Sequence, residues 1–438
     1  MSSILLLDNL SSESIMLLDS FKAANFKGKV IVVDDDGFLP NEVISLYRYF
    51  CGKYKEGKPR YFNQINIPDY WEIDANNNSG KITNLFRKRG SIFYTNPTSN
   101  RLVSTVDWYD EEGIVRSSDH YDKNGFLYAR TTFDKSGHRF CKSYYDQENR
   151  EVIVENFVTR DIILNYDGRV FVYKNKIDLA KKLFELLDIK CDQIFYNSLS
   201  TPFFISEALD GNEKKDILFW QENPRSDIPG NMQIILDGNS IRTNLIYVQK
   251  KESFDKLISL GANKDILRPL GFVYNFVRDN KHSNNVLICT NSDQIEQLEY
   301  LVNNLRDVNF HIGAITEMSS KLLSMAKYDN VFLYPGASIS LFEELFNKCD
   351  IYLDINHGNE ILDSVKKAFL HNQLILGFSN TLHNRLYICK EHVCDGGDKM
   401  VKFIRGLLTN GELLNKELAL QKKAALSEDR NVYENIFK

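Results

Sequence analysis

The hydrophobic pattern begins with two short apolar runs separated by a helical period. Residues 4–7 and 30–33 form the two runs, and residues 15–24 carry apolar side chains at helical spacing. A strand, a helix and a strand joined by short connections are typical of the start of a doubly wound sheet. The first segment therefore predicts the beginning of a Rossmann-like α/β domain.

From about residue 70 to residue 173 the helical period disappears and a repeat replaces it. An aromatic residue recurs every 12 residues, at Tyr109, Tyr121, Phe133, Tyr145 and Phe157. The first four are each followed by Asp and then by a Gly or Asn three residues later, namely Gly113, Gly125, Gly137 and Asn149. Asp can accept hydrogen bonds from its own turn, and Gly or Asn can adopt the positive φ of a reversal. The repeat predicts an antiparallel β-meander whose neighbouring strands follow chain order.

Uninterrupted alternation along the repeat strands assigns their side chains to two faces. One face is predicted to be mixed aromatic and basic, with Arg116, Tyr128, Arg130, Phe140, Lys142 and Tyr144. Neither face is purely apolar, so the sheet is expected to be open. Two interpretations remain for this face: a contact surface for a partner or an acceptor, and simple exposure to solvent.

After about residue 176 the α/β rhythm returns. A helix is predicted over 178–187 and strands over 193–196, 217–220, 232–236 and 244–248, with a crossover near 268–271. A second complete unit follows, with strands predicted over 286–290, 310–314, 331–334, 351–354 and 374–377 and helices over 294–305 and 319–327. The predicted domains are 1–69 and 177–268 as two parts of a first Rossmann-like domain, 70–176 as the inserted meander, and 269–438 as a second Rossmann-like domain with a C-terminal helix.

Composition excludes several classes of protein. The net charge is −5 over 438 residues, and the Lys and Arg residues are scattered, so no nucleic-acid-binding stripe is expected. No apolar stretch approaches the ~20 residues of a membrane span, and the start lacks the basic segment of a signal peptide. The seven cysteines are spread widely, which is typical of reduced thiols in a cytoplasmic protein. We expect no metal site and no cofactor.

Three single features have ordinary structural explanations. His357 near Asp354 is predicted to have a turn or packing role, and His311 is predicted to lie in the core. The run Asp34-Asp35-Asp36 is interpreted as a solvated strand end, because three consecutive residues of a strand cannot all face one cation.

The end of the chain resembles the donor lobe of retaining GT-B glycosyltransferases. The resemblance is carried by the strand at 349–354, the helix ending Lys367-Ala-Phe-Leu-His-Asn372 and the strand at 373–377. Together with the inserted meander, it is similar to the accessory Sec system pair that glycosylates serine-rich repeat adhesins. That resemblance implies a GT-B fold and a pair of one catalytic subunit, the GtfA type, and one non-catalytic stabilising partner, the GtfB type.

Departures from the enzyme pattern favour the non-catalytic type. Family enzymes carry two carboxylates, in a Glu-Gly-Phe-Gly…Leu-Glu-Ala pattern, whose second Glu binds the ribose hydroxyls. Aligned on Ala368, this chain has Asn359 and Lys367 at the two carboxylate positions, in a loop that begins His357-Gly358. A lysine only donates hydrogen bonds and reverses the charge. These four residues, His357, Gly358, Asn359 and Lys367, are predicted to be a degenerate donor site.

Two further groups of the enzyme pattern are absent. Family enzymes neutralise the departing diphosphate with a basic pair after the first strand of the donor lobe, whereas residues 289–296 contain no Lys or Arg and two acids. The first loop, residues 7–12, has no glycine pair to admit phosphates. Loss of all three groups argues against transfer from a UDP-sugar.

The resemblance then implies a function. We expect a stabilising and acceptor-binding subunit that pairs with a GtfA-type transferase of N-acetylglucosamine and binds a serine-rich repeat adhesin polypeptide before export. The same resemblance implies a peripheral association with the inner face of the cell membrane. The alternatives are an active GT-B glycosyltransferase with an altered donor site, of the teichoic-acid type or for a second sugar transfer, and a carbohydrate-binding module.

Overall fold

The computed structural model describes residues 3–52, 54–211 and 214–438. They form two compact units, one with Met1–Leu18 and Phe26–Leu270 and the other with Asp19–Asn25 and Gly271–Lys438. The sequence had placed all of residues 1–69 in one domain. Residues 19–25 belong to the second unit because Phe21 packs there against Tyr433 and Phe437, with ring centroids 5.9 and 4.9 Å away.

The first unit opens with a parallel βαβ segment. Its elements are β1 (Ser3–Leu7), the first part of α1 (Ser12–Ala23), β2 (Lys29–Val32) and β3 (Val43–Ser45). β1 and β2 were predicted from their apolar runs. β3 was not, because three residues are too short to show a period.

The predicted meander is confirmed as one antiparallel sheet. Among the described residues it has ten strands, each hydrogen-bonded to the next in chain order. They are β4 (Trp71–Ala75), β5 (Ser79–Asn84), β6 (Arg87–Tyr94), β7 (Val103–Tyr109), β8 (Val115–Tyr121), β9 (Leu127–Phe133), β10 (Arg139–Tyr145), β11 (Glu151–Asn156), β12 (Ile162–Tyr166) and β13 (Arg169–Tyr173).

The turn chemistry predicted from the repeat is present. The residues three positions after each Asp have positive φ, with values of 82° at Gly113, 83° at Gly125, 79° at Gly137 and 59° at Asn149. Each Asp carboxylate accepts backbone N–H groups of its own turn; Asp122 Oδ1, for example, accepts from Asn124 and Phe126 at 3.0 and 2.9 Å. The 12-residue period is therefore one strand and one Asp-anchored turn.

The chain then completes the first parallel sheet. The elements are α2 (Lys176–Leu186), β14 (Gln193–Tyr196), α3 (Thr201–Glu207), β15 (Asp216–Trp220), α4 (Gly230–Leu236), β16 (Thr243–Val248), α5 (Lys251–Ser259) and β17 (Leu267–Pro269). The sheet order in the described residues is β17-β16-β15-β14-β1-β2-β3. The strand predicted over 232–236 is wrong: it is α4, in which Met232, Ile235 and Leu236 are buried at helical spacing.

The meander packs directly on this sheet through a shared aromatic core. Tyr47 stacks on Tyr144 with ring centroids 4.6 Å apart, and the Tyr128 hydroxyl donates to the Asp35 carbonyl oxygen at 2.9 Å. All four residues are buried. The interpretation of Asp34-Asp35-Asp36 as a wholly solvated strand end is thus wrong for its middle residue, which lies in this core.

A buried ion cluster joins the two sheets beside the aromatic core. The Arg48 guanidinium lies 3.3 Å from an Asp35 carboxylate oxygen and 3.7 Å from one of Asp122, and Arg48 also donates to the Gly37 carbonyl oxygen at 3.3 Å. The side chain of Arg48 is 14% exposed, and those of the two aspartates are 1% and 0% exposed. We call these three charged residues the Arg48 cluster. Its arginine balances two carboxylates that have almost no contact with water.

The second unit is a second doubly wound sheet. Its elements are β18 (Asn285–Thr290), α6 (Leu298–Asn304), β19 (Asn309–Ala314), α7 (Ser320–Leu323), β20 (Val331–Tyr334), α8 (Ile339–Lys348), β21 (Ile351–Asp354), α9 (Ser364–Leu370), β22 (Leu374–Phe378), β23 (Val393–Cys394), α10 (Gly397–Thr409), α11 (Gly411–Ala424) and α12 (Arg430–Ile436). The order in the described part is β20-β19-β18-β21-β22-β23, all parallel.

Alternate residues of β18 enter two separate cores, which shows that helices cover both sides of this sheet. Val286 and Ile288 belong to one core and Leu287 and Cys289 to the other. His311 is a core histidine as predicted, bonded to the Tyr334 hydroxyl and to Asn285, and burial lowers its pKa to about 4. None of the helices in the described residues is long and apolar enough to cross a membrane. The predicted α/β class, two doubly wound sheets and an inserted meander, is confirmed.

Candidate functional site

The loops that follow β18 and β21 lie at the carboxyl ends of the central strands of the second sheet, where the donor site was predicted. They are hydrogen-bonded to each other along their length. Glu296 N donates to the Ile355 carbonyl oxygen at 2.8 Å, and His357 N donates to that of Gln294 at 3.0 Å. The Thr290 hydroxyl donates to Asn356 Oδ1 at 2.8 Å in a buried position. The backbone groups of these loops named above are therefore bonded to the other loop and are not free to bind a ligand.

Gly358 is the point of closest approach between the two loops. A Cβ at this position would lie 1.9 Å from Asn291 Oδ1. Only glycine allows the Asn291 side chain to rest there. This glycine of the predicted degenerate donor site therefore leaves room for an asparagine side chain of the same chain.

His383 fastens the loop from its other side. Its Nδ1 lies 2.6 Å from Asp354 Oδ1, its Nε2 lies 2.7 Å from the Gly358 carbonyl oxygen, and its backbone N–H donates to Asp354 Oδ2 at 2.8 Å. The hydrogen bond to the Asp354 carboxylate raises the pKa of His383 to about 9. At neutral pH the imidazole is therefore charged, and both ring nitrogens can donate.

The charged state of His383 predicts a pH dependence of stability. Because its folded-state pKa lies above the ordinary value of 6.5, the stabilisation is complete below about pH 6.5 and is lost as the pH rises through about 9. The free energy of unfolding should fall for His383→Gln relative to the unmodified chain by about 1–2 kcal/mol at about pH 6, after allowance for solvent screening. Urea unfolding at about pH 6 and about pH 10 measures this difference, which should shrink at the higher pH.

The control for this measurement is His138→Gln, which replaces an exposed histidine of a meander turn. If the stability difference caused by His383→Gln is the same at both pH values, His383 is not the charged clamp described here.

The two positions that carry carboxylates in the enzymes are not arranged as a pair. Lys367 Nζ lies 2.5 Å from Glu343 Oε1 of α8, with the ammonium 5.8 Å from the Phe346 ring centroid. Asn359 is exposed in the loop, where its carbonyl oxygen accepts from Asn356. The lysine is engaged in a helix–helix ion pair, and the asparagine offers no charge.

The basic side chains at and beside these loops already have acidic partners. His357 Nε2 lies 2.7 Å from Glu296 Oε2, His383 pairs with Asp354, and Lys367 pairs with Glu343. His357 and Asp354 do not pair with each other, since each has a different partner. A diphosphate would meet no uncommitted cation among these three.

A cavity of about 500 Å³ lies beside these loops. Its lining includes three carboxylates and two lysines, and one lysine is spent on an ion pair, Lys327 with Glu299 at 2.8 Å. The lining residues that carry charge are Asp293, Glu296, Glu299, Lys321, Lys327 and His357. The pairs Lys327–Glu299 and His357–Glu296 leave only Lys321 and Asp293, so the lining offers no surplus of positive charge to a diphosphate.

Sequence reasoning missed three residues of this site: His383, Asn291 and Glu360. Glu360 Oε1 accepts the Val365 N–H at the start of α9 at 2.8 Å, and burial raises the pKa of its carboxyl. Glu360 directly follows Asn359, so the alignment on Ala368 placed the first carboxylate position of the enzymes one residue before it. Because His383 lies 25 residues beyond Gly358, only the folded chain brings them together.

The predicted mixed face of the meander is wrong for its two tyrosines, which are buried. Tyr128 and Tyr144 are 1% and 3% exposed and belong to the core shared with the first parallel sheet. Burial lowers the pKa of Lys142, whose ammonium lies 4.9 Å from the Tyr144 ring centroid. Arg116 and Arg130 remain partly accessible, bonded to the Asp134 carbonyl oxygen and to the Asp119 carboxylate, and Phe140 is exposed.

The error has a structural cause. The register between β8 and β9 shifts between His120 and Tyr121, and the register between β9 and β10 shifts between Arg139 and Cys141. Each shift is a β-bulge, which moves the following side chains to the other face. Tyr128 and Arg130 therefore do not share a face although they are two residues apart.

The register defines two faces of the sheet. The packed face contains the row His120, Ala129, Tyr144, Ile153 and Leu164. The opposite face contains the row Asp119, Arg130, Ser143, Val154, Ile163 and Val172. We call it the open face because it is exposed at Ile163 and Val172, although Asp119 and Ser143 are buried. On the open face Asp119 accepts from the Trp108 indole at 2.9 Å as well as from Arg130.

An exposed apolar cluster lies at the β4–β6 end of the meander. Tyr70, Leu85 and Phe86 are 96%, 81% and 100% exposed. Trp71 pairs with Asn84, so Tyr70 lies opposite the tip of the β5–β6 hairpin. Arg89 and Lys88 add cations over the rings of Trp71 and Tyr109. We call Tyr70, Leu85 and Phe86 the hairpin-tip cluster.

Models of protein families match four consecutive segments of the chain. They are described as the GtfB N-terminal domain over residues 4–50, the GtfB middle domain over 71–174, the GtfB third domain over 176–260 and the GftB/GlyA-F C-terminal domain over 286–421. The segment matched by the middle-domain model contains all ten strands of the meander that the described residues form.

Full-length relatives carry one description. A UDP-N-acetylglucosamine–peptide N-acetylglucosaminyltransferase stabilizing protein GtfB of Streptococcus gordonii is 40% identical over 98% of this chain and 97% of its own length. The protein of the same description from Streptococcus pneumoniae is 41% identical over 95% of this chain and 94% of its own. A chain in the crystal structure of a GtfA/B complex bound to UDP and GlcNAc is 39% identical, covers 99% of this chain and 98% of its own, and superposes with a TM-score of 0.87. With this identity over nearly the whole length, the chain belongs to the GtfB family of glycosyltransferase-stabilizing proteins.

Proposed function

We propose that this chain is the non-catalytic subunit of a protein O-GlcNAc transferase: it stabilises a GtfA-type catalytic subunit and holds the polypeptide acceptor. The non-catalytic part of this proposal rests on the loops after β18 and β21, where the chain's own side chains fill the space expected for a donor. There Asn291 rests on Gly358, and His383 ties the same loop to Asp354. Family membership supports the choice of partner.

The chemistry of these loops supports the same conclusion. Transfer from a sugar nucleotide requires groups that stabilise the charge of the departing diphosphate. The basic side chains His357, Lys367 and His383 are each paired with a carboxylate, and the charged side chains that line the neighbouring cavity give it no positive surplus. A nucleotide would have to break these ion pairs before it could bind.

A titration with UDP-GlcNAc tests the non-catalytic part. We expect isothermal calorimetry on the isolated chain to give no binding heat, while a GtfA-type transferase gives a clear isotherm under the same conditions. Saturable binding, or any release of GlcNAc, would favour the alternative of an enzyme with an altered donor site.

For the partner surface we propose the hairpin-tip cluster. Exposed aromatic and large apolar side chains next to arginine are typical of the energetically important centre of a protein interface. Tyr70, Leu85 and Phe86 make little use of their side chains within this chain, since they are almost fully exposed. The neighbouring sheet offers a rigid platform for them.

The acceptor that we propose is an extended Ser/Thr-rich polypeptide of the serine-rich repeat type. A subunit that binds both this polypeptide and the catalytic subunit raises the local concentration of acceptor at the active site. Peripheral association with the inner face of the cell membrane stays a prediction, and co-flotation of the complex with vesicles of membrane lipid would test it.

A further inference from the structure

β13 forms one outer edge of the meander, and its backbone leaves hydrogen-bonding groups free. The two-residue turn Asp167-Gly168, with φ values of 52° and 69°, joins β12 to β13 and pairs Tyr166 with Arg169. In an antiparallel hairpin of this type the hydrogen-bonded pairs alternate from the turn. Val170 and Val172 therefore direct their N–H and C=O groups away from β12. In the described residues neither makes a backbone hydrogen bond to another element.

The side chains at this edge are equally unprotected. Val170 and Val172 are 67% and 59% exposed, and Ile163 beside Val172 is 37% exposed. These three side chains share the open face and carry no charge. Natural edge strands are usually protected by lysine, proline, a bulge or a covering segment. β13, with the sequence Arg-Val-Phe-Val-Tyr, has no such device within the strand.

The opposite edge of the same sheet is protected. β4 has the sequence Trp-Glu-Ile-Asp-Ala, and both of its acids, Glu72 and Asp74, are exposed. A strand that approached β4 would meet two carboxylates. The contrast between the two edges indicates that the open edge at β13 has a use.

We infer that β13 binds the acceptor as an added antiparallel or parallel strand, through the outward N–H and C=O groups of Val170 and Val172. This inference rests on the proposed role of the chain as the subunit that holds the acceptor. Strand addition binds the main chain of an extended peptide, and pockets or flat surfaces beside the strand select its side chains. A neutral row of valine and isoleucine favours uncharged, small or β-branched side chains, which serine and threonine supply.

The size of the edge favours this occupant over the catalytic subunit. A stable protein–protein interface buries about 800 Å² on each partner. Two outward residues on a five-residue strand cannot supply such an area alone, whereas they suit a weakly held segment of extended polypeptide. Binding through main-chain groups also tolerates many sequences, as a repetitive acceptor with many modification sites requires.

Amide exchange and a proline substitution test the inference on the full chain. The probe is a synthetic, unglycosylated, fluorescein-labelled peptide of Ser-Ala-Ser-Thr repeats. Its addition should slow hydrogen exchange at the Val170 and Val172 amides, which are unbonded without it. Val172→Pro removes one outward donor and no bond to β12, and it should raise the Kd measured by fluorescence anisotropy by at least about tenfold. Val172→Thr keeps both the donor and the branched shape, so its Kd should stay within about twofold.

Each contrary result has a distinct meaning. If the peptide binds and the two amides stay unprotected, or if Val172→Pro binds as tightly as Val172→Thr, the strand-addition site is wrong while the acceptor-holding role stands. If the unmodified chain does not bind the peptide at all, the acceptor-holding role fails and the inference fails with it. If sedimentation shows a dimer of the chain that Val172→Pro dissociates, the occupant is a second copy and the inference is wrong. The exchange measurement needs no variant, so it decides the question even if the proline variant does not fold.

Discussion

Replacing Arg48 with alanine is expected to lower the free energy of unfolding by about 3–5 kcal/mol. The substitution leaves the carboxylates of Asp35 and Asp122 uncompensated at 1% and 0% exposure. Removing one partner of a buried ion pair has this large effect because the remaining charge stays out of water. Urea unfolding followed by tryptophan fluorescence measures the change.

A matched control and a rescue variant make the interpretation specific. Arg225→Ala removes an exposed arginine that pairs with Glu222, and it should change the stability by less than about 1 kcal/mol. The triple variant Arg48→Met, Asp35→Asn, Asp122→Asn should recover much of the loss, since no buried charge remains. A loss below about 1 kcal/mol for Arg48→Ala would show that the cluster does not hold the meander to the first parallel sheet.

The second large effect concerns association with the catalytic subunit. The double variant Leu85→Asn, Phe86→Ser should weaken that association by at least about a hundredfold, because interface aromatic and apolar anchors contribute 2 kcal/mol or more each. Since the two side chains are 81% and 100% exposed, the stability of the isolated chain should be nearly unchanged. Asparagine suits position 85, where φ is 53°.

Surface plasmon resonance with an immobilised GtfA-type transferase gives the affinity. The control is Ile241→Ser, which removes another exposed apolar side chain. This residue lies just before β16 of the first parallel sheet. If the double variant binds as tightly as Ile241→Ser, the hairpin-tip cluster is not the contact surface.

The architecture of the meander could be predicted from the sequence because the repeat determines its geometry. Twelve residues between aromatics, with Asp and Gly or Asn at fixed offsets, set the strand length, the turn type and the antiparallel order. The positive φ values at Gly113, Gly125 and Asn149 follow from the same pattern. Long apolar runs with clear turns predicted the two parallel sheets for the same reason.

Short elements and local irregularities could not be predicted in this way. Residues 232–236 contain four apolar positions that fit both a strand and one turn of helix, and only packing selects α4. The face of Tyr128 depends on one bulge, whose position the alternation does not reveal. Because this one bulge was not visible in the sequence, a buried tyrosine was predicted to lie on the surface.

For the candidate donor site, the sequence predicted which groups of the enzyme pattern are absent. The substitutions at Asn359 and Lys367 are visible in the sequence, and they indicate lost chemistry. What replaces that chemistry depends on contacts between distant segments: Asn291 reaches Gly358, and His383 reaches Asp354. No spacing rule in the sequence connects these residues.

The central claim is that this chain stabilises a catalytic transferase and does not itself transfer sugar. The most direct test is thermal unfolding of a GtfA-type transferase with and without this chain in excess. At a concentration a hundred times the Kd, binding should add about 2.7 kcal/mol to the transferase and raise its unfolding midpoint, with no UDP-GlcNAc present. An unchanged midpoint at saturating concentrations of the chain would contradict the account.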